Sequence, residues 1–350
     1  MMAGLYNLIT AEGYSSIAIV GMTKNVGKTV TFNHLVETFE KKAVNLGLIS
    51  AGYDGERFDR LTLKDKPRIY APLGAVVATA EACFKAAAAG LELLESSSFS
   101  TPLGAVLLAK VERAGLVELA GPGSVSALSK LTAKMFDFGA AYVLVDGAIN
   151  RLASASPLLT DGTILASGAA LGPTMDDVIK KTVFRHALFT APAVEGDLAA
   201  AARAGLEEGN AVLLHRDDCS YIIEPVKARI PLLAGAQLIN KCRRETEALV
   251  YGGALVDGNL QEVMELYPVP PTLIVKDATR LFITPELYYR FINQGGKIKV
   301  LDRINLVAIT LNPTDPCGRG YDPQMFLERM KEALSPCPVF DLVYEVSISR

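Results

Sequence analysis

Read from its N-terminal end, the chain alternates short apolar runs with longer amphipathic segments. Ile17–Val20, Ala43–Ser50, Ala105–Ala109, Tyr142–Val145, Thr163–Ala166 and Ala187–Thr190 are strand-length apolar runs, the pattern of strands buried on both faces. Helix-length stretches separate them, which predicts βαβ units and a doubly wound, mostly parallel α/β sheet with helices on both faces. The alanine-rich "FKAAAAGLELL" reads as a buried helix, and "VEGDLAAAARAGLEEGN" as a helix that stops at Gly209 and Asn210. Beyond it, "AVLLH", "YIIEP", "ALVYGGAL", "PTLIVKD" and "NLVAITLNP" resume the strand signal. Helical "DGNLQEVMEL", "TPELYYRFINQG" and "PQMFLERMKEAL" lie between and after them. The expected organisation is therefore two α/β domains, 1–210 and 211–350.

Composition supports that division. At 350 residues the chain exceeds the usual single-domain size, and its 50% hydrophobic content is enough for two buried cores. A formal net charge of −3 without a basic block argues against a nucleic-acid surface. Cys83, Cys219, Cys242, Cys317 and Cys337 are scattered and form no C-x-x-C pair, as expected of reduced thiols in the cytoplasm. The opening "MMAGLYNLITAEGYSS" lacks the basic and long apolar regions of a secretory signal. No apolar run reaches about 18 residues, so no membrane span is expected.

The strongest chemical signal follows the first strand-like run. Residues Gly21-Met22-Thr23-Lys24-Asn25-Val26-Gly27-Lys28-Thr29 match the G-K-[ST] end of G-x-x-x-x-G-K-[ST] at Gly27, Lys28 and Thr29, with the first glycine one position earlier, so that five residues separate the two glycines. Glycines at positions 21 and 27 are expected to let the backbone turn with φ > 0 and approach an anion, and the helix that follows aims its positive end at the same point. The predicted phosphate-binding set is Gly21, Thr23, Lys24, Asn25, Val26, Gly27, Lys28, Thr29 and Val30, with ATP and Mg²⁺ as the expected cofactors. Lys28 neutralises phosphate oxygens in this reading, and the Thr29 hydroxyl ligates the metal.

Such a loop needs an acidic residue at a neighbouring strand end to hold the magnesium shell. In "AAYVLVDGAINR", Asp146 follows a buried strand and is assigned that role, the alternative being an ordinary turn with Gly147. Asp54, in "LISAGYDGERFDR", is a second catalytic and metal candidate, with Glu56 beside it and Arg57 and Asp59 secondary; a solvated acidic loop is the alternative. Lys66, Arg68 and Thr79 either bind an anion or cover the sheet. Asn150, Arg151, Ser154 and Ser156 either sense hydrolysis or form a hydrogen-bonded connection. His34, His186 and His215 are isolated in sequence and suggest no metal cluster.

The loop "GMTKNVGKT" resembles the dethiobiotin-synthetase-like branch of P-loop proteins. Position 23 is threonine, where the ParA/MinD-type variant carries a lysine, so that subgroup is less favoured. Together "GYDGERFD", "KPRIYAPLGAVVATAE", "LVDGAINRLASASP" and "ILASGAALGPTMDDVIKKT" resemble a narrower group, the P-loop subunit of the reactivase of lysine 5,6-aminomutase. The resemblance spans most of residues 15–190. It implies a chaperone-like ATPase that exchanges damaged adenosylcobalamin out of an aminomutase, working with a MutS-like ATPase subunit. Self-association stays open. Residues 211–350 are expected to contact the partner. The alternative is an ATP-dependent carboxylase or amide ligase, in which Asn312 of "NLVAITLNPTDP" would read the nucleotide base as in dethiobiotin-synthetase-like proteins.

Overall fold

The computed structural model describes residues 4–52, 69–147, 155–218, 220–227, 241, 243 and 245–342. The chain forms two compact units, Met1–Val183 with Asn305–Arg350, and Phe184–Ile304. Strands of the first unit are, in chain order, β1 (Ser16–Gly21), β2 (Leu46–Ala51), β3 (Ile69–Ala71), β4 (Val76–Ala80), β5 (Gly90–Thr101), β6 (Gly104–Arg113), β7 (Gly115–Val117), β8 (Tyr142–Gly147) and β9 (Gly162–Gly168). The second unit carries β10 (Ala211–Asp217), β11 (Ser220–Val226), β12 (Thr246–Tyr251), β13 (Leu255–Val256), β14 (Thr272–Val275), β15 (Leu281–Phe282) and β16 (Ile298–Val300). The chain then returns to the first unit with β17 (Leu306–Asn312) and β18 (Val339–Phe340). Helices up to the second sheet are α1 (Leu5–Ala11), α2 (Lys28–Lys41), α3 (Glu81–Lys85), α4 (Val125–Asp137), α5 (Met175–Phe189) and α6 (Gly196–Glu208).

Nine described strands make the first sheet, in the order β18-β17-β9-β1-β8-β2-β4-β6-β5. From β18 to β4 all neighbours run parallel, and the β5–β6 hairpin closes one edge antiparallel. The chain thus winds outward from β1 to β2 and β4 on one side. After β8 it crosses to β9, β17 and β18 on the other. Alternate residues of the central strands feed opposite faces. Ile17, Ile19, Leu48 and Leu144 pack with Phe32, Leu35 and Phe39 of α2, while Ile49, Val143 and Val145 pack with Leu128, Leu131 and Met135 of α4. This is the expected α/β class, a large mixed and mostly parallel sheet.

The second unit has its own five-stranded sheet, β11-β10-β12-β14-β16. It is mixed, with β10 antiparallel to both β11 and β12, and β12, β14 and β16 parallel. Ala201 and Ala202 of α6 pack in one cluster with Val212, Leu214, Val250 and Ile274.

Three expectations need correction. The division at residue 210 is not where the units part, because β17 pairs with β9, and Val307 and Ala308 enter the same cluster as Ile17 and Ile19. Phe184–Ile304 is therefore an insertion, and residues 305–342 belong with the first sheet rather than with a separate second domain. Ala187–Phe189 form the last turn of α5 and not a strand, since a run of four residues is too short to separate the two periods. In "FKAAAAGLELL" only Phe84 and Lys85 are helical, and Gly90–Leu94 begin the edge strand β5. The alanines between them leave the helix as a turn in which the Ala88 and Ala89 N–H groups donate to the Leu116 carbonyl at 2.9 and 3.3 Å, and Gly90 admits the close approach of Arg113, whose Cβ would lie 3.0 Å from an added β-carbon. Among the described residues no helix is long and apolar enough to cross a membrane.

One carboxylate pins the start of the central strands. Asp161 Oδ2 accepts from the backbone N–H groups of Ser15 (3.0 Å) and Ser16 (2.9 Å) and from both hydroxyls (2.9 Å each). Partial burial pushes this carboxyl up, but the four donors outweigh it and hold it below its ordinary value. The depressed folded value means the stabilisation is complete above the unfolded value near about 3.9 and disappears as pH falls through the folded value. Asp161→Asn should cost about 1–3 kcal/mol at neutral pH in denaturant unfolding. The gap between wild type and variant should close below about pH 4.

Candidate phosphate-binding site

The site is built on β1, whose residues Ile17, Ala18, Ile19 and Val20 are fully buried or nearly so. Its C-terminal end lies where the chain leaves in opposite directions after β1 and β9, the switch point at which open α/β sheets hold ligands. There the chain turns sharply. The left-handed residues are Asn25 (φ 63°) and Gly27 (φ 90°) and not Gly21 as expected; Gly21 serves close approach instead, since a β-carbon there would lie 3.1 Å from Val26 Cγ2. Asparagine and glycine are the residues that adopt the left-handed conformation at least cost. Val26, between them, is buried and anchors the loop to the core.

Helix α2 starts at Lys28 with Gly27 as its N-cap. No side chain caps it, and its first turn holds no acidic residue. The N–H groups of this turn have no intrahelical acceptors, so donors and helix dipole together face an anion's position. A lysine at the first helical position opposes that dipole. It is compensated from the next strand: Lys28 Nζ donates to Asp146 Oδ1 at 2.9 Å and to the Gly147 carbonyl at 2.5 Å. Asp146 lies beside Ile19 in the β1–β8 register, and the Lys28 and Asp146 side chains are only 17% and 25% exposed.

Two neighbouring strands hold the loop. Met22 N–H donates to the Ala166 carbonyl of β9 at 3.0 Å. Asn312, at the end of β17, donates from Nδ2 to the Asn25 carbonyl at 3.1 Å, and its Cβ would be 3.0 Å from a β-carbon at Gly27. Deeper in, the Thr31 and Thr310 hydroxyls meet at 2.8 Å and tie α2 to β17.

The structure thus brings together Gly21, Thr23, Lys24, Asn25, Val26, Gly27, Lys28, Thr29 and Val30 as one loop and first turn, with Asp146 against Lys28. Thr23, Lys24 and Thr29 are partly buried, and Val30 is 38% exposed. Asp54, Glu56, Arg57, Asp59, Lys66, Arg68, Asn150, Arg151 and Ser154 lie outside the described residues. Thr79 is buried and engaged within the fold, donating to the Glu118 carbonyl at 2.7 Å and accepting from Ala120 N–H at 3.0 Å. Ser156 is buried. His34, His186 and His215 fall on α2, α5 and β10. Among the described residues, no three or more His, Cys, Asp or Glu side chains are grouped to hold a metal ion.

Sequence reading named Asn312 for a different task and missed the Asn25 and Thr31 contacts to β17. Asn25's tolerance of a left-handed backbone was the only local signal for any of them. Comparison of the chain with protein-family models, curated proteins and solved structures gives no match.

Two glycines of nearly equal φ separate strain from packing at the loop. Gly27 (φ 90°) faces Asn312, whereas Gly139 (φ 91°) has nothing within 4 Å of an added β-carbon. Gly139→Ala should cost about 1–2 kcal/mol from backbone strain alone. Gly27→Ala should cost more, by up to about 1–3 kcal/mol for the forced shift against Asn312. Denaturant unfolding of both variants, each in the same compact unit, measures the difference.

Proposed function

We propose that the chain is a magnesium-dependent P-loop ATPase acting as a chaperone-like reactivase subunit, which helps to exchange damaged adenosylcobalamin out of an aminomutase. The observation that carries the ATPase part is the pairing of Lys28 with Asp146 at the switch point, beneath an uncapped helix N-terminus. A nucleotide's β- and γ-phosphates would accept the first-turn N–H groups of α2, and Lys28 would neutralise their charge. Lys28 holds two of its three protons on Asp146 and Gly147, which leaves one for a phosphate oxygen.

The Thr29 hydroxyl and Asp146 carboxylate are hard oxygen donors of the kind Mg²⁺ takes, and they would hold that ion together with nucleotide phosphates and water. When bound, the ion supplies charge neutralisation at the phosphates. Asp146 would orient the coordination shell and return Lys28's charge balance. Asp54 remains a proposed additional metal ligand on the strength of its place after β2.

The reactivase part rests on the sequence resemblance. Its physical basis is that nucleotide binding supplies free energy that differs between two protein conformations, which release of a tightly held corrinoid requires. The partners proposed on the same footing are an adenosylcobalamin-dependent aminomutase and a MutS-like ATPase subunit.

A second reading, a dethiobiotin-synthetase-like carboxylase or amide ligase, gains from one observation. Strand β17 lies in the same sheet as β1, so the C-terminal segment reaches the phosphate loop. Hydrolysis of ATP by the purified chain, measured alone, with an aminomutase and MutS-like subunit, and with small carboxylic acids, separates the two. Stimulation by protein supports the reactivase, and stimulation by an acid supports the ligase.

Lys28→Ala removes a charge-assisted contact of about 1.5–3 kcal/mol, so calorimetric affinity for ATP should fall by about tenfold or more. Thr29→Ala should chiefly weaken the magnesium dependence. Asp146→Asn should still bind ATP but lose hydrolysis by orders of magnitude in a phosphate-release assay. Unchanged binding and turnover in all three variants would remove the assignment.

A further inference from the structure

We infer that Asn312 is a positioning residue for the phosphate loop: from β17 it holds Asn25 and Gly27 in the left-handed turn that aims the α2 N–H groups. The inference deepens the nucleotide reading above and rests on it.

Three observations converge on this side chain. Its Nδ2 donates to the Asn25 carbonyl at 3.1 Å, so the amide grips the loop at its exposed left-handed residue. Its Cβ stands against Gly27, where an added β-carbon would lie 3.0 Å away, so the second left-handed residue packs on the same side chain. Its backbone is itself held close to β9. Asn312 is paired in register with Gly168, and a β-carbon at Gly168 would come within 2.4 Å of the Asn312 carbonyl oxygen. The anchor therefore stands on a rigid parallel ladder, while the loop it holds has two left-handed residues, Asn25 and Gly27, in its turn.

The remaining hydrogen-bonding capacity of the amide argues against a base-reading role. Asn312 Oδ1 accepts from Thr314 N–H at 3.2 Å and from the Thr314 hydroxyl at 3.0 Å, which fills both lone-pair directions. One Nδ2 proton is left. Recognition of adenine by an asparagine takes a donor and an acceptor together, and here the acceptor is committed to Thr314. Thr314 also fixes which way the amide faces, so that Nδ2 rather than Oδ1 meets the Asn25 carbonyl.

A loop anchor and a base reader give different ligand profiles. Affinities of wild type, Asn312→Ala and Thr314→Val are measured for ATP, GTP and inorganic tripolyphosphate, each with magnesium. Hydrogen exchange is followed over residues 22–29 and over β1 and β9. Asn312→Ala should weaken all three ligands by a similar factor, on the order of tenfold, the loss of about one hydrogen bond. Exchange should rise in residues 22–29 and stay unchanged in β1 and β9. Thr314→Val, which removes only the orienting hydroxyl, should move the same readouts in the same direction by less. This variant also carries the test if Asn312→Ala does not fold.

Loss confined to one nucleotide, with tripolyphosphate binding unaffected, would overturn the inference in favour of base reading. Equal affinities and unchanged exchange in the variants would overturn it outright, as would faster exchange throughout β1 and β9, which marks general destabilisation. Wild type that binds none of the three ligands would instead refute the nucleotide reading on which the inference rests.

Discussion

The candidate site depends on one constraint: β1 is hydrogen-bonded along both edges, to β8 and β9, and buried on both faces. A strand so placed cannot shift its register, because a slip of one residue would exchange its two packed faces. The end of β1 is therefore a fixed point. The loop that leaves it, with left-handed Asn25 and Gly27, is restrained by strand, helix and neighbouring strands. Met22 on β9, Val26 in the core, Asn25 and Gly27 against Asn312, and Thr31 on Thr310 are separate parts of that restraint.

Electrostatics build on this geometry. Lys28 stands in the first turn of α2, where the helix dipole disfavours a cation, and both it and Asp146 are mostly shielded from water. Either charge alone would be costly in that position, so the two are interdependent and the parallel register of β1 and β8 sets their spacing. In the proposed function, this lysine, held by one carboxylate and one carbonyl, would take a phosphate oxygen as a further partner.

The insertion explains why the chain reads as two successive domains. Phe184–Ile304 has its own strands, helices and apolar cluster, with β10 to β16 following α6 in the same rhythm as the first half. No break in composition marks the return at residue 305, because β17 looks like any other apolar strand. Pairing with β9 alone tells which sheet it joins. The same limit applies to smaller segments. Ala187–Phe189 and Gly90–Leu94 are short and apolar, and their state follows from what they pack on: a long helix in one case, a hairpin partner in the other.

Local sequence determined the features whose physics is local. The buried run of β1, the turn at Gly27, the placement of Lys28 and Thr29 at a helix start and the strand-end position of Asp146 were legible because each rests on residues within a few positions of one another. Tertiary structure decided the rest. That Asp146 meets Lys28, that Asn312 touches Asn25 across 287 positions of chain and that β17 completes the first sheet are products of strand order. Strand pairing is chosen by the summed burial and hydrogen bonding of the whole sheet, and no window of sequence contains that sum.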